Sequence, residues 1–107
     1  MTEPCWFVVD DVNPETAEFP ITVQVDREDI IIFRVGERLR AIQRWCPHEE
    51  ADLAAGRLMG DMIKCPNHGF IYRLSDGKLI NHSWGIDAKA FEVLIEGGRL
   101  QVRRVTG

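Results

Sequence analysis

Two short segments, each holding one cysteine and one histidine, constrain this chain more than any other feature. The first is Cys46-Pro47-His48, and the second, after 16 intervening residues, is Cys65-Pro66-Asn67-His68. Thiolate sulfur and imidazole nitrogen are both good ligands for transition metals. The spacing therefore predicts a metal centre whose two sulfur and two nitrogen ligands come from two separate loops. The four candidate ligands are Cys46, His48, Cys65 and His68.

This ligand pattern resembles the Rieske family, whose members bind a [2Fe-2S] cluster through two cysteines and two histidines. The resemblance implies one cluster per chain, with Cys46 and Cys65 on one iron and His48 and His68 on the other. Residues beside the ligands agree with the family, since a proline follows each cysteine and fixes the backbone there. Gly69 follows the second histidine, where a glycine allows the loop to turn back with positive φ.

A structural zinc site is the alternative interpretation of the same four residues. Zinc accepts two cysteines and two histidines, but its paired cysteines are usually two to four residues apart. Here each cysteine is paired with a histidine instead, and only one residue separates Cys46 from His48. The spacing therefore favours the iron–sulfur cluster and leaves zinc as the alternative.

Composition limits the remaining possibilities. The chain has 107 residues, of which 45% are hydrophobic, which suits one domain with one core. Its net charge of −4 argues against nucleic-acid binding and favours a partner with a positive face. No signal peptide is visible, and the longest apolar run, Ile30–Phe33, is too short to span a membrane. Two cysteines are assigned to the centre and Cys5 remains alone, so we expect no disulfide framework and a cytoplasmic location.

Short apolar segments separated by turn signals predict an all-β chain. Apolar residues alternate over 21–25, as in a half-buried strand. Gly36-Glu37 and Gly97-Gly98 predict tight hairpin turns, and Asp26–Asp29 is expected to be a charged turn. Residues 79–89 show no regular pattern, and 49–56 is expected to be irregular or a helical turn. The predicted strands are Cys5–Val9, Pro20–Val25, Ile30–Val35, Arg38–Trp45, Arg57–Met59, Met62–Lys64, Phe70–Leu74, Phe91–Ile95 and Leu100–Val105.

The order of these strands predicts a single Rieske domain over 1–107. Base strands from about 5–45 and 85–105 are expected to form an antiparallel β-sandwich or small barrel. The cluster-binding lobe, about 45–84, is inserted between them. The resemblance implies the same plan, with the cluster at the tip.

Comparison with the high-potential members of the family, found in cytochrome bc complexes, suggests a different branch. In those proteins two cysteines join the ligand loops by a disulfide, and Ala51 and Asn67 occupy the matching positions here. Phe70 replaces the serine whose hydroxyl bonds a cluster sulfide, whereas Tyr72 matches the tyrosine that bonds a cysteine sulfur. Since such bonds raise the potential, we expect a midpoint near the low end of the range of about −150 to +300 mV.

The sequence most resembles Rieske-type ferredoxins of bacterial dioxygenase and monooxygenase systems. Such proteins pass single electrons from a flavin-dependent reductase to a terminal oxygenase, which implies an electron carrier and not an enzyme. An oxygenase needs a second iron held by two histidines and a carboxylate, and only His82 remains for that role. A small Rieske-like subunit of a larger oxidoreductase, such as nitrite reductase, is the second functional alternative.

The resemblance also places the docking surface at the cluster tip. The expected tip residues are Pro47, His48, Glu49, Glu50, Asn67, His68 and Gly69, with Trp84 as a further candidate. The free ring edges of the two histidines are expected to be the electron exit. Many family members shield the cluster with a proline-rich loop, which here has the sequence Asn81-His82-Ser83-Trp84-Gly85. Trp84 is expected to replace the missing proline as apolar cover, and His82 to be a surface histidine.

Overall fold

The chain folds almost entirely into antiparallel strands. The computed structural model describes residues 5–10, 12–48, 51–67 and 69–105. Within these ranges a single short 3-10 helix, Leu53–Ala55, accompanies the strands. The strands are Phe7–Val9 (β1), Ile21–Val25 (β2), Glu28–Val35 (β3), Arg38–Gln43 (β4), Arg57–Met59 (β5), Met62–Lys64 (β6), Ile71–Arg73 (β7), Ala90–Glu96 (β8) and Arg99–Arg104 (β9).

The strands form two sheets of unequal size. Six strands form the base in the order β1-β9-β8-β4-β3-β2, and its edge strands approach each other to give a nearly closed barrel. The three-stranded sheet β5-β6-β7 lies between β4 and β8 in the chain. It forms the inserted lobe, and the predicted all-β architecture is confirmed. An ion pair links the two sheets, with Arg40 Nε on β4 3.2 Å from Asp61 Oδ1 on the β5–β6 turn.

Strand β3 is buried on both faces and therefore connects the two cores. Ile30 and Ile32 point into the barrel, whereas Ile31 and Phe33 belong to the cluster shared with the lobe. A strand covered on both faces has no polar side to show water, which explains the unbroken apolar run in the sequence. The apolar run Ile30–Phe33, which is too short to span a membrane, thus lies between the two cores of the fold.

The turn between β2 and β3 differs from the sequence-based prediction. Val25 pairs with Glu28, so only Asp26 and Arg27 remain for the turn. Both have positive φ, 48° and 68°, as a type I′ hairpin requires, although neither is glycine. The prediction of a charged turn through Asp29 was therefore wrong, because β3 begins two residues earlier. The predicted tight hairpin turn at Gly97-Gly98 is confirmed, and its φ of 61° and 76° are those of type I′.

None of the helices in the described part of the chain is long and apolar enough to cross a membrane.

We expect Ile31→Ala to lower the free energy of unfolding by about 2–5 kcal/mol, because it leaves a cavity where barrel and lobe meet. Ile95→Ala is the matched control, since Ile95 on β8 is 50% exposed. Its cost should stay below about 1 kcal/mol. Urea unfolding measures both values, and equal costs would contradict the position given to β3.

Candidate metal centre

The two candidate ligand loops are built alike. In the first, the Cys46 N–H donates to the Ala51 carbonyl at 2.9 Å, and in the second the Cys65 N–H donates to the Phe70 carbonyl at 2.8 Å. Each loop is thus closed by a bond from its cysteine to the residue five positions on. The first loop follows β4 and the second joins β6 to β7. Strands β4 and β6 therefore lead into the two cysteines.

Three predicted site residues lie outside the described residues. They are the candidate ligand His68 and the two acids of the expected docking surface, Glu49 and Glu50. The other three candidate ligands, Cys46, His48 and Cys65, are described.

Both cysteine side chains lie in the core shared by barrel and lobe. Cys46 is 5% exposed and Cys65 is 2% exposed. Their neighbours in this core include Leu53, Ile63, Phe70 and Tyr72. Such surroundings would keep water away from thiolates that bind a metal.

Tyr72 joins a sulfur ligand to a nitrogen ligand. Its side chain is fully buried, and its hydroxyl oxygen lies 3.1 Å from Cys46 Sγ and 2.7 Å from His48 Nδ1. On the opposite edge of the ring, the Ile86 N–H donates to His48 Nε2 at 2.8 Å. Nδ1 is thus the ring nitrogen that faces the buried sulfur.

The described candidate ligands suit a two-iron cluster. Cys46 and Cys65 supply buried sulfur, and His48 turns Nδ1 towards the Tyr72 hydroxyl in the same core. In a Rieske cluster the sulfur and nitrogen ligands bind different irons. The donor set and its burial therefore fit a [2Fe-2S] cluster.

The outer edge of His48 is covered by backbone, which contradicts the expectation of a free imidazole edge at this histidine. Gly85 lies over the ring, and a Cβ on this residue would be 2.3 Å from His48 Nε2 and 2.9 Å from Leu79 Cδ2. Its φ of +120° is also one that only glycine adopts readily. Glycine is therefore required here so that the Ile86 N–H can reach the ring. In the sequence, Gly85 was the only indication of this close approach of the backbone to His48.

Aromatic rings surround the exposed side of His48. Phe70 stacks on His48, with ring centroids 4.5 Å apart and planes 17° apart. Trp84 meets both rings edge-on, at 6.3 Å and 6.2 Å, and half-buried His82 lies 5.5 Å from Trp84. Trp84 nevertheless remains 64% exposed. It covers the histidine with one edge and presents the rest of its ring to solvent.

An ion pair lies at the base of the first loop. Arg44 Nε and Nη2 donate to the two carboxylate oxygens of Asp52, at 3.2 Å and 3.0 Å. These hydrogen bonds from Arg44 lower the pKa of Asp52 below its usual value, and the Ala54 N–H helps by donating to the same carboxylate. The same pairing raises the pKa of Arg44. Both groups are therefore charged at neutral pH.

Known proteins that are similar to this chain bind the same kind of cluster that the site suggests. Residues 5–85 match the family model of the Rieske [2Fe-2S] domain. Ferredoxin CarAc of Metapseudomonas resinovorans is 30% identical over 79 residues, which cover 74% of this chain and 74% of that relative. The ferredoxin component of the naphthalene 1,2-dioxygenase/salicylate 5-hydroxylase systems of Ralstonia sp is 28% identical over 83 residues, covering 78% of this chain and 80% of that one.

A solved structure gives the same result. One chain in the complex of reduced oxygenase and oxidised ferredoxin in carbazole 1,9a-dioxygenase superposes with a TM-score of 0.74. The two chains are 28% identical, over 95% of this chain and 97% of that chain.

Fold, donor set and comparisons together define an iron–sulfur protein, and the chain belongs to the Rieske [2Fe-2S] domain family. Its cofactor is a single [2Fe-2S] cluster. Within the family it is an electron-carrier component like its ferredoxin relatives and not a catalytic subunit. The predicted family is thus confirmed, and the zinc alternative is set aside.

We expect Gly85→Ala to displace the backbone over His48 and to lower the free energy of unfolding by about 2–4 kcal/mol. Gly36→Ala is the matched control, because Gly36 also has positive φ but a Cβ there would meet no atom within 4 Å. The control should cost about 1 kcal/mol. Urea unfolding gives the costs, and the ¹⁵N chemical shift of His48 Nε2 should move only in Gly85→Ala. An unchanged shift would mean that the Ile86 bond survives.

Proposed function

We propose that Cys46, His48, Cys65 and His68 hold the cluster and that the chain carries single electrons from a flavin-dependent reductase to a terminal oxygenase. The observation that carries this proposal is the Tyr72 hydroxyl, which brings a buried thiol and an inward-facing imidazole nitrogen to one point. The similarity to a ferredoxin chain solved in complex with an oxygenase supports the choice of partner.

The residues around the centre have distinct roles in this proposal. When bound, the cluster supplies a site that accepts and releases one electron. Cys46 and Cys65 hold their sulfurs in a dry apolar core, which lowers the cost of reorganising solvent around a changing charge. The Phe70 ring, which stacks on the imidazole, fixes the orientation of His48. His48 and Trp84 then connect the buried side of the site to the surface.

The same contacts support a midpoint potential in the lower part of the Rieske range. Phe70 presents a ring and no hydroxyl to this site, and no disulfide connects Ala51 with Asn67. Tyr72 acts in the opposite direction, because a hydroxyl donated to Cys46 Sγ stabilises the more negative, reduced state. We therefore propose that Tyr72 raises a potential that would otherwise be lower still.

Tyr72→Phe should lower the midpoint potential by about 20–60 mV, the equivalent of one net hydrogen bond of about 0.5–1.5 kcal/mol. Phenylalanine preserves the packing of the fully buried ring. Asp76→Asn, which alters a turn after β7, is the control and should leave the midpoint unchanged. Voltammetry measures the shift, and equal midpoints for wild type and Tyr72→Phe would show that the hydroxyl does not act on the cluster.

For docking, we propose a surface made of Ile80, Trp84 and Ile86, of which the last two contact His48. They are 41%, 64% and 64% exposed, respectively. The stretch 79–86 that contains them has no charged residue, in a chain that is 28% charged. The Leu79 N–H donates to Asp87 Oδ1 at 2.9 Å, so the stretch is tied at its ends. A small, preformed apolar surface suits the brief complexes that electron carriers make with an oxygenase.

Ile86→Ser should weaken binding of the terminal oxygenase by about 3- to 10-fold, which corresponds to roughly 1 kcal/mol of lost apolar contact. Ile95→Ser is the matched control, because Ile95 is similarly exposed but lies on the β8–β9 hairpin of the base. Stopped-flow oxidation of the reduced chain by the oxygenase gives the apparent affinity. An equal effect of both substitutions would place the contact elsewhere.

Two broader proposals follow from the fold. We propose that 1–107 forms one Rieske domain, because the core around Ile31 and Tyr72 contains residues of both the base and the lobe. We also propose a cytoplasmic location. It is supported by the three cysteines, all described, none of which is in a disulfide.

Anaerobic reconstitution with iron and sulfide tests the proposed ligands. Wild type should bind two irons and two sulfides per chain and show a reversible one-electron wave. His48→Ala and His68→Ala should each lose the cluster, whereas His82→Ala should retain it. A stable cluster in His68→Ala would overturn the proposed ligand set.

A further inference from the structure

The two ligand loops are supported in different ways beyond their closing hydrogen bonds. The second loop is followed at once by β7, which pairs with β6 through Lys64 and Ile71. A regular ladder therefore holds both ends of that loop. The described residues of the first loop have one isolated bridge, between Trp45 and Asp52, after which the chain enters the 3-10 helix. Something other than a ladder must hold the first loop in place.

The Arg44–Asp52 ion pair lies at the base of the first loop, where the second loop has the β6–β7 ladder. The fork of the guanidinium spans both carboxylate oxygens, and the Arg44 carbonyl accepts the Leu53 N–H at 2.8 Å. Asp52 Oδ1 also accepts the Ala54 N–H at 2.9 Å and so begins the 3-10 helix. The pair thus fixes the two ends of the loop to each other and to the element that follows.

Contacts to β3 fix this ion pair within the fold. The Arg44 N–H donates to the Asp29 carbonyl at 2.9 Å, and Trp45 Nε1 donates to Asp29 Oδ2 at 3.0 Å. The guanidinium lies over the Trp45 ring, 4.9 Å from its centroid. Arg44 therefore has two contacts besides Asp52, one from its backbone N–H to Asp29 and one from its guanidinium to the Trp45 ring.

We propose that the Arg44–Asp52 pair is the clamp of the first loop and positions Cys46 and His48 for the cluster. The proposal rests on the ligand set proposed above. Ala51 and Asn67 cannot form the disulfide that joins the ligand loops in the high-potential branch. A bidentate arginine–carboxylate pair supplies fixed geometry together with charge-assisted bonds. Arg44 and Asp52 are positioning residues, since they act through the loop.

The chain contains a matched ion pair away from the ligand loops. Arg73 donates through Nε and Nη2 to the two oxygens of Asp76, and Asp76 Oδ1 also accepts the Lys78 N–H at 3.0 Å. This repeats the contacts of Asp52 with Arg44 and Ala54. It lies in the turn after β7, at the end of that strand remote from the second loop. Asp76→Asn therefore changes the same chemistry without touching a ligand loop.

The test compares Asp52→Asn with Asp76→Asn in protein loaded with the cluster. Both should lower the thermal unfolding temperature of the cluster-free protein to a similar extent. Asp52→Asn alone should release iron to a chelator about 3- to 10-fold faster than wild type and alter the visible circular dichroism of the cluster. Asp76→Asn should stay within about twofold of wild type. Asp52→Glu, which restores the charge, should recover part of the loss.

Equal rates of iron release from the two asparagine variants would overturn the clamp. If Asp52→Asn fails to fold, Arg44→Lys keeps the positive charge but loses the fork, and the same comparison applies. A wild-type protein without a cluster signal would instead reject the proposed ligand set, so the two failures are distinguishable.

Discussion

The hydroxyl of Tyr72 is the contact on which the rest of the site depends. It meets a buried thiol on one side and an imidazole nitrogen on the other, 3.1 Å and 2.7 Å away. A polar hydroxyl in this apolar core needs such partners, because an unpaired buried hydroxyl is costly. The position of Tyr72 on β7, paired with Ile63 on β6, fixes where the first loop must place Cys46 and His48. The two ligand loops are therefore coupled through a side chain that is proposed as a ligand in neither.

Strand β3, which is buried on both faces, connects the site to the base. Its alternate residues fill the barrel and the core of the lobe, so the site stands on a strand with little freedom to move. The contacts of Asp29 with Arg44 and Trp45 extend this support to the first loop. Rigid support of this kind suits an electron carrier, since small structural change between redox states keeps electron transfer fast.

The family and most of the strands could be predicted from the sequence. Ligand spacing indicated the family, and alternating apolar residues with glycine turns predicted the strands, because both signals are local. The type I′ turn at Asp26-Arg27 was missed because neither residue is a glycine. The positive φ of both residues follows only from the pairing of Val25 with Glu28. Trp84 was expected as cover for the site, but the backbone cover over His48 was missed. It depends on a backbone N–H at Ile86, 38 residues from the histidine in sequence, and backbone groups leave no trace in side-chain patterns.

Mixed ligation of the cluster by two histidines is the central claim, and electron–nuclear double resonance of the reduced protein tests it most directly. The chain has three histidines, so protein labelled with ¹⁵N-histidine allows a simple comparison. We expect two strongly coupled nitrogens in wild type, and the same two in His82→Gln. A cluster with no coupled histidine nitrogen, or the loss of one coupling in His82→Gln, would contradict the account.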